Sequence, residues 1–154
     1  MSQETHITFE FDEHAGLYWP GEVISGQYFV ETPLPREVKA LELSVLWHTI
    51  GKGDEDLAVH YFQRETVDDQ GLIDLMKPRN FATELPNSPL SYDGLIVKIC
   101  WCVRVRVFMR KGRDVVAEQP FQFGFLPRPT ALRVAPVEET KETGEKKVQS
   151  RSEG

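Results

Sequence analysis

The sequence predicts an all-β fold, an antiparallel β-sandwich of about seven or more strands. Apolar and polar residues alternate with a period of two through most of the chain, which is the pattern of strands that bury one face. Clusters of Gly, Pro, Asn and Asp separate these stretches at regular intervals, as turns do between antiparallel strands. No segment sustains a helical period of 3.6 residues, so we expect little helix.

The first three predicted strands cover residues 6–11, 22–31 and 38–50. A Pro-Gly turn at 20–21 separates the first two, and Gly26 predicts a bulge or a close approach of two backbones. The third strand alternates most cleanly. Its apolar face holds Leu41, Leu43, Val45 and Trp47, and its polar face holds Glu42, Ser44 and His48.

The fourth predicted strand, 58–67, follows a Gly- and Asp-rich break at 51–56. Its alternation predicts Val59 and Tyr61 on one face, and His60, Phe62 and Arg64 on the other. After it, residues 71–76 fit either a helical turn or an edge strand, and 77–84 favours a short strand centred on Phe81.

The longest predicted strand, 95–109, follows a loop at 85–94 that is rich in turn residues. A hairpin at 110–114, with Gly112 suited to a positive φ, leads to the last strand, 115–125. We expect Trp47 and Trp101 to anchor the core between the sheets. Cys100 and Cys102, two positions apart, share one strand face and are expected to be reduced thiols.

The chain has 154 residues and a formal net charge of −6. This length fits a single domain, which we place at residues 1–135. A polar tail at 136–154, without aromatic residues, is expected to be disordered. The acidic balance argues against a nucleic-acid partner. Apolar runs fall short of the roughly 18 residues of a transmembrane segment, and the start lacks a signal-peptide pattern, so we expect a cytoplasmic protein.

Three stretches carry a family resemblance: Tyr-Trp-Pro-Gly-Glu-Val-Ile-Ser-Gly at 18–26, Leu-Pro to Tyr-Asp-Gly at 85–94, and a Val-rich strand at 97–105. Together they resemble the N-terminal domain of arrestin-like proteins, the fold of arrestins, α-arrestins and a retromer subunit. The resemblance covers residues 6–127 and implies an immunoglobulin-like sandwich in a single-domain form, because classical arrestins have two such domains. It also implies an adaptor that binds proteins.

No motif in the chain indicates catalysis, a cofactor or a metal. The Gly51-Lys52-Gly53 stretch lacks the Walker spacing and is followed by acidic residues that would repel phosphate. The acidic clusters lack EF-hand spacing, and a Cys-X-Cys pair with scattered histidines is a weak metal signal. We therefore expect a protein that is not an enzyme, with no cofactor and no metal.

Basic residues concentrate in one stretch of this acidic chain. Residues 98–113 hold six Lys and Arg side chains and no acidic residue. Lys98, Arg104 and Arg106 share the non-core face of the longest strand. One interpretation is the solvated side of a half-buried strand; the other is a groove for an anion or phosphopeptide.

The functional hypothesis is a non-enzymatic adaptor that binds a protein or peptide partner. The candidate partner-binding residues are Lys98, Arg104 and Arg106 on the long strand, with Asp54 and Asp56 in the acidic loop. The alternative is a structural module that self-associates as a homodimer without a ligand on the basic face.

Overall fold

A computed structural model describes residues 4–12, 16–53 and 55–124 of the chain. The predicted tail at 136–154 and the end of the last predicted strand lie outside the described residues. A 3₁₀ turn, Pro35–Glu37, precedes the fourth strand, and no α-helix occurs within the described ranges. The strands are β1 His6–Phe11, β2 Leu17–Tyr18, β3 Val23–Glu31, β4 Val38–Gly51, β5 Leu57–Thr66, β6 Arg79–Glu84, β7 Tyr92–Asp93, β8 Val97–Met109 and β9 Val115–Phe123.

The strands form two sheets. The small sheet has the order β1-β3-β6, and the large sheet has the order β2-β9-β8-β4-β5, with β7 also paired to β8. Every pairing is antiparallel except that of β2 with β9. The predicted fold class, an all-β sandwich, is confirmed.

The core lies between the inner faces of the two sheets. Alternate residues of β4 and β8 supply most of the large-sheet side, because the period of two brings every second side chain inward. Trp101 is 1% exposed, its ring centroid lies 5.1 Å from that of Phe123, and its Nε1–H donates to the carbonyl of Pro89 at 2.8 Å. Trp47 is only half-buried and packs against the edge of the cluster. Trp101 is thus the central anchor and Trp47 a peripheral one.

Two short strands were not expected from the sequence. Tyr92–Asp93 forms a two-residue strand inside the loop predicted at 85–94, and Leu17–Tyr18 forms another between the first two predicted strands. Residues 71–76 are neither helix nor strand. The strand predicted from 95 begins at Val97, and Leu95 and Ile96 instead form the turn before it, 73% and 72% exposed.

A bulge in β5 reverses the predicted faces of its first residues. Val45 pairs with Tyr61, but the next residue, Leu46, pairs with Val59, so His60 is the extra residue. His60 and Tyr61 therefore both face the small sheet; the Nε2 atom of His60 lies 2.7 Å from the carbonyl oxygen of Glu84 on β6. The prediction that Val59 shares a face with Tyr61 is wrong: Val59 lies on the outer face.

Gly26 allows β1 to approach β3 closely, as predicted. A Cβ atom at this position would lie 2.5 Å from the carbonyl oxygen of Glu10 and 2.8 Å from the Cα of Phe11. Gly112 adopts a φ of 81° in the hairpin between β8 and β9, the left-handed conformation that glycine adopts most easily.

Candidate partner-binding surface

The side of the large sheet that faces away from the small sheet is here called the outer face. Four long strands form it, in the order β5, β4, β8 and β9, and pairing defines which residues lie side by side. Leu43 and Val105 point into the core, so their chain neighbours point outward. The outer face changes character along the strands: one half is charged and the other is apolar.

The charged half holds Arg104 and Arg106 of β8, and each arginine has an acidic neighbour on β9 or at its start. Nε and Nη2 of Arg104 both lie 2.6 Å from Oε2 of Glu118. Nη1 of Arg106 lies 3.9 Å from Oδ2 of Asp114, and its guanidinium stacks 5.6 Å from the centroid of Phe108. Arg104 and Arg106 of the basic run therefore form neighbouring ion pairs with acidic residues of the adjacent strand or its start.

A third ion pair extends this set across β4 to β5. Arg64 on β5 is paired with Glu42 on β4, which in turn lies opposite Arg106. The guanidinium of Arg64 lies 5.3 Å from the centroid of Phe108. Phe108 therefore has two guanidinium groups near its ring, those of Arg64 and Arg106. Both arginines also have an acidic partner.

The predicted site residues do not form one cluster. Arg104 and Arg106 lie together, but Lys98 lies six residues away along β8, about 20 Å at strand spacing, and pairs with Asp93 at 3.5 Å. Asp56 lies in the hairpin between β4 and β5, where its N–H donates to Oγ1 of Thr49 at 2.8 Å. Asp54 lies outside the described residues. The anion-binding interpretation of the basic residues stays a prediction.

The other half of the outer face is an exposed apolar surface, here called the apolar patch. It consists of four large side chains, each about half exposed: Ile50, Leu57, Val59 and Phe62. Pairing makes the patch continuous, since Ser44, Leu46 and His48 of β4 lie opposite Phe62, Val59 and Leu57 of β5 in turn. Residues that are paired across strands lie about 5 Å apart, within contact of one another.

Beside the patch, two further outward-pointing side chains are already buried without any partner. Leu46 and Cys102 pair with each other across β4 and β8 and are 1% and 2% exposed, although both point outward. Burial raises the pKa of Cys102 to about 12; Glu118 adds to this increase and Arg104 opposes it. Cys100 is half-buried, and both thiols are free.

A second concave feature lies beside this face. A cleft of about 480 Å³ opens where β7 and β9 both approach β8, lined by Lys98, Asp93 and Cys100 among others, and it borders Gly16. Across the residues that the structure describes, no three His, Cys, Asp or Glu side chains come together as a metal ion would require. None of the described segments forms a helix that could cross a bilayer.

Sequence reasoning missed the apolar patch for one reason. Leu57, Val59 and Phe62 do not share a parity, so no regular strand places them on one face. The bulge at His60 brings them together. The sequence did contain a signal. Residues 57–62 include four large apolar side chains, and one face of a six-residue strand holds only three.

Comparisons with known proteins give a fold but no family. No family model matches the sequence, and no curated protein matches it. Among solved structures, Spo0M, a sporulation control protein from Bacillus subtilis, is similar with a TM-score of 0.55 and 15% identity. The fold is arrestin-like. The match covers 79% of this chain and 50% of Spo0M, so the chain spans about half the length of that structure.

Proposed function

We propose that this chain is a cytoplasmic, non-enzymatic adaptor that binds a protein or peptide partner through the outer face of the large sheet. The observation that carries the proposal is the apolar patch: four large side chains, each about half exposed, on adjacent positions of β4 and β5. The arrestin-like fold and the resemblance of 18–26 and 85–94 to arrestin N-terminal domains support an adaptor role.

The arrangement of the outer face suits a protein interface. Protein interfaces have an apolar centre and a polar rim that excludes water. Here Val59 and Phe62 occupy the centre, and the ion pairs of Arg64 and Arg104 form a rim on one side. Covering apolar surface yields about 25 cal/mol for each Å² removed from water, so the patch supplies affinity and the rim supplies orientation.

The charged half of the outer face binds acidic side chains of the partner in this proposal. Arg106 is the better candidate, because Asp114 lies 3.9 Å away and the Arg106 side chain is 42% exposed. Arg104 is held more tightly by Glu118 and its side chain is 26% exposed. A carboxylate or phosphate of the partner would compete with Asp114 for Arg106 more readily than with Glu118 for Arg104.

The proposal is tested by capture from a lysate of the organism that encodes the protein. The variant Val59→Glu/Phe62→Glu places two carboxylates in the apolar patch. Val23→Glu/Leu34→Glu is the matched control, because Val23 and Leu34 are exposed to a similar extent but belong to β3 and to the loop after it rather than to the large sheet. We expect a protein captured by the wild type and the control to be lost with the patch variant.

One further variant separates the two halves of the face. Arg106→Glu should weaken capture of the same protein and lower its sensitivity to salt, because one charge pair is removed. Capture that is equal for the wild type, the patch variant and the control would contradict the proposed site. All variants are compared only after their urea unfolding curves show a folded protein.

A further inference from the structure

We propose that the free edge of β5 binds an extended segment of the partner, which pairs with β5 as a further strand of the large sheet. β5 is the terminal strand in the order β2-β9-β8-β4-β5. The inference rests on the proposed function, because the bound segment also contacts the apolar patch. It adds the chemistry of that segment: alternate residues are large and apolar, and a Lys or Arg lies near the hairpin between β4 and β5.

The direction of the backbone groups of β5 follows from its pairing with β4. The N–H of Thr49 donates to the carbonyl oxygen of Asp56 at 2.9 Å, so the odd-numbered residues of β4 direct their backbone groups towards β5. Tyr61 and Gln63 are paired with odd-numbered residues of β4. Their N–H and C=O groups are therefore bonded within the sheet.

The backbone groups of Phe62 and Arg64 point the other way, towards the free edge, because these groups alternate in direction along a strand. In the part of the chain that the structure describes, no strand or loop backbone bonds to them. The pairing is regular from 61 to 66, since the bulge at His60 lies before this stretch. An extended peptide is the ligand that satisfies such a row of donors and acceptors.

The other strand edges are less suited to an added strand. β9 contains Pro120, which has no N–H, and its end is already paired with β2. On β6, the carbonyl oxygens of Asn80 and Glu84 lie within hydrogen-bond distance of β5 side chains. β1 has only six residues, and its outward side chains are polar. β5 has ten residues and contains neither Pro nor Lys, which proteins commonly use to prevent pairing at an edge.

The apolar patch lies directly beside this edge. Val59 and Phe62 belong to β5 itself, and each is about half exposed on the outer face. Side chains that are paired across adjacent strands lie about 5 Å apart. Large apolar residues of the added strand, on its outer side, therefore contact these two side chains and remove them from water.

The opposite side of the same edge is polar. A cleft of about 410 Å³ lies there between β5 and β6, lined by Gln63, Glu65, Arg79 and Asn80 among others. Nε and Nη2 of Arg79 each donate to Glu65 at 3.0 Å. Residues of the added strand that point to this side are therefore polar, which gives the segment its alternating pattern.

The hairpin between β4 and β5 specifies the charge at one end of the segment. Residues 51–56 contain three acidic residues and one cation, Lys52. Glu55 and Asp56 are exposed, and neither belongs to an ion pair among the described residues. A Lys or Arg of the segment is attracted to this end. Towards the other end of β5, Arg64 already has an acidic partner.

Amide hydrogen exchange of the full chain, resolved by residue with NMR, tests whether the edge is free. We expect the N–H groups of Phe62 and Arg64 to exchange at least about tenfold faster than those of Tyr61 and Gln63, which are bonded to β4. Equal protection of all four groups would show that another segment of the chain, or a second copy, already covers the edge. That result would overturn the proposal.

Selection of a random heptapeptide library on phage, against the immobilised full chain, supplies a probe for the bound state. The recovered peptides should alternate large apolar and polar residues and carry a Lys or Arg near one end. N-methylation of alternate amides should weaken binding at least about tenfold for one parity and much less for the other, because only one parity points towards β5. Recovery of no binding peptide, or equal effects of the two parities, would overturn the proposal.

A variant of the protein removes one donor from the edge. Arg64→Pro deletes an outward N–H and no bond to β4, and proline is tolerated at such edge positions. Arg64→Ala is the matched control, because both variants lose the guanidinium. Peptide affinity should be about two- to tenfold lower for Arg64→Pro than for Arg64→Ala, as for the loss of one hydrogen bond. Equal affinities would contradict strand addition, and the N-methylated peptides decide the question if Arg64→Pro fails to fold.

These results distinguish strand addition from the proposed function. Capture from the lysate that is lost with Val59→Glu/Phe62→Glu, together with peptide binding that does not depend on amide parity, would leave the proposed function standing and exclude strand addition alone. Peptide binding that depends on amide parity but is unchanged by Val59→Glu/Phe62→Glu would instead contradict the patch as the binding site while retaining the pairing with β5.

Discussion

Leu46 on β4 pairs with Val59 on β5, whereas its chain neighbour Val45 pairs with Tyr61. The residue between, His60, faces the small sheet and lies 2.7 Å from the carbonyl oxygen of Glu84. One inserted residue therefore does two things: it links the two sheets at their edge and turns Val59 and Leu57 outward. The apolar patch depends on this bulge, since without it only Ile50 and Phe62 of the four side chains would lie on the outer face.

Trp101 is expected to be the most sensitive residue of the core. Its ring packs against Phe121 and Phe123, and its Nε1–H bonds to Pro89. Trp101→Ala should lower the free energy of unfolding by about 3–5 kcal/mol, as other buried aromatic truncations do. Urea unfolding measures this loss, and Trp47→Ala, at the rim of the core, should cost clearly less. Equal losses for the two variants would contradict the assignment of Trp101 as the central anchor.

The two glycines that the structure explains should respond differently to alanine. Gly26→Ala forces a Cβ against the backbone of Glu10 and Phe11, which can yield only if β1 shifts away from β3. We expect a loss of about 1–3 kcal/mol, as for other overpacked sites. At Gly112 the space for a Cβ is open and only the φ of 81° opposes alanine, so about 1 kcal/mol is expected. Thermal unfolding of both variants measures the two losses of stability. A larger loss for Gly112→Ala than for Gly26→Ala would contradict this prediction.

The ion pair of Arg104 and Glu118 is expected to act as a positioning contact with a small effect on stability. Its side chains are 26% and 39% exposed, and pairs of this kind contribute about 0.2–1 kcal/mol. Arg104→Glu should destabilise by about 1 kcal/mol because two carboxylates then face each other. The exchange Arg104→Glu/Glu118→Arg should recover most of the loss. A double-mutant cycle in urea gives the coupling energy, and a coupling of zero would show that the contact is not formed in solution.

Cys102 is expected to be unreactive in the folded protein. Burial raises its pKa to about 12, so the thiolate that reacts with disulfide reagents is scarce at pH 8. In a Cys100→Ser variant, labelling of Cys102 should proceed only as fast as the protein opens, and it should accelerate in urea. Prompt labelling at pH 8 without denaturant would contradict the buried position.

The same pKa increase predicts a loss of stability at high pH. The usual pKa of a thiol is 9.0, and burial raises that of Cys102 to about 12. Between these values the unfolded chain releases the proton and the folded chain keeps it, so the free energy of unfolding falls as pH rises through this window. Tyr28 acts in the same direction, because burial raises its pKa from 10.0 to about 12. Cys102→Ala should lessen the dependence on pH between 9 and 12, as measured by urea midpoints.

Local alternation was sufficient to predict most of the fold. The strands from His6, Val38 and Val115 begin where the sequence indicated, because each buries one face and alternates without interruption. The two-residue strands at Leu17 and Tyr92 could not be predicted in this way. Leu17–Tyr18 forms a strand because it pairs with β9, and Tyr92–Asp93 because it pairs with β8. Two residues are too few to show a period of two in the sequence.

The candidate site was less predictable, because its properties depend on pairing between distant segments. Arg104 and Arg106 could be placed on one face from their spacing alone. Glu118 and Asp114 neutralise these two arginines because of the register of β9 against β8. That register cannot be read from a single sequence. The apolar patch depends in addition on the bulge at His60, since one extra residue changes the parity of everything that precedes it in β5.

The most direct measurement is side-chain footprinting of the outer face in the bound state. Phe62 and Leu57 report on the apolar patch, and Leu34, of similar exposure and in the loop between β3 and the 3₁₀ turn, is the internal reference. In the complex captured from the lysate, carbene labelling of Phe62 and Leu57 should fall several-fold relative to the isolated chain at 1 μM, while labelling of Leu34 stays unchanged. Unchanged labelling of Phe62 and Leu57 in that complex would contradict the claim that this face is the binding surface.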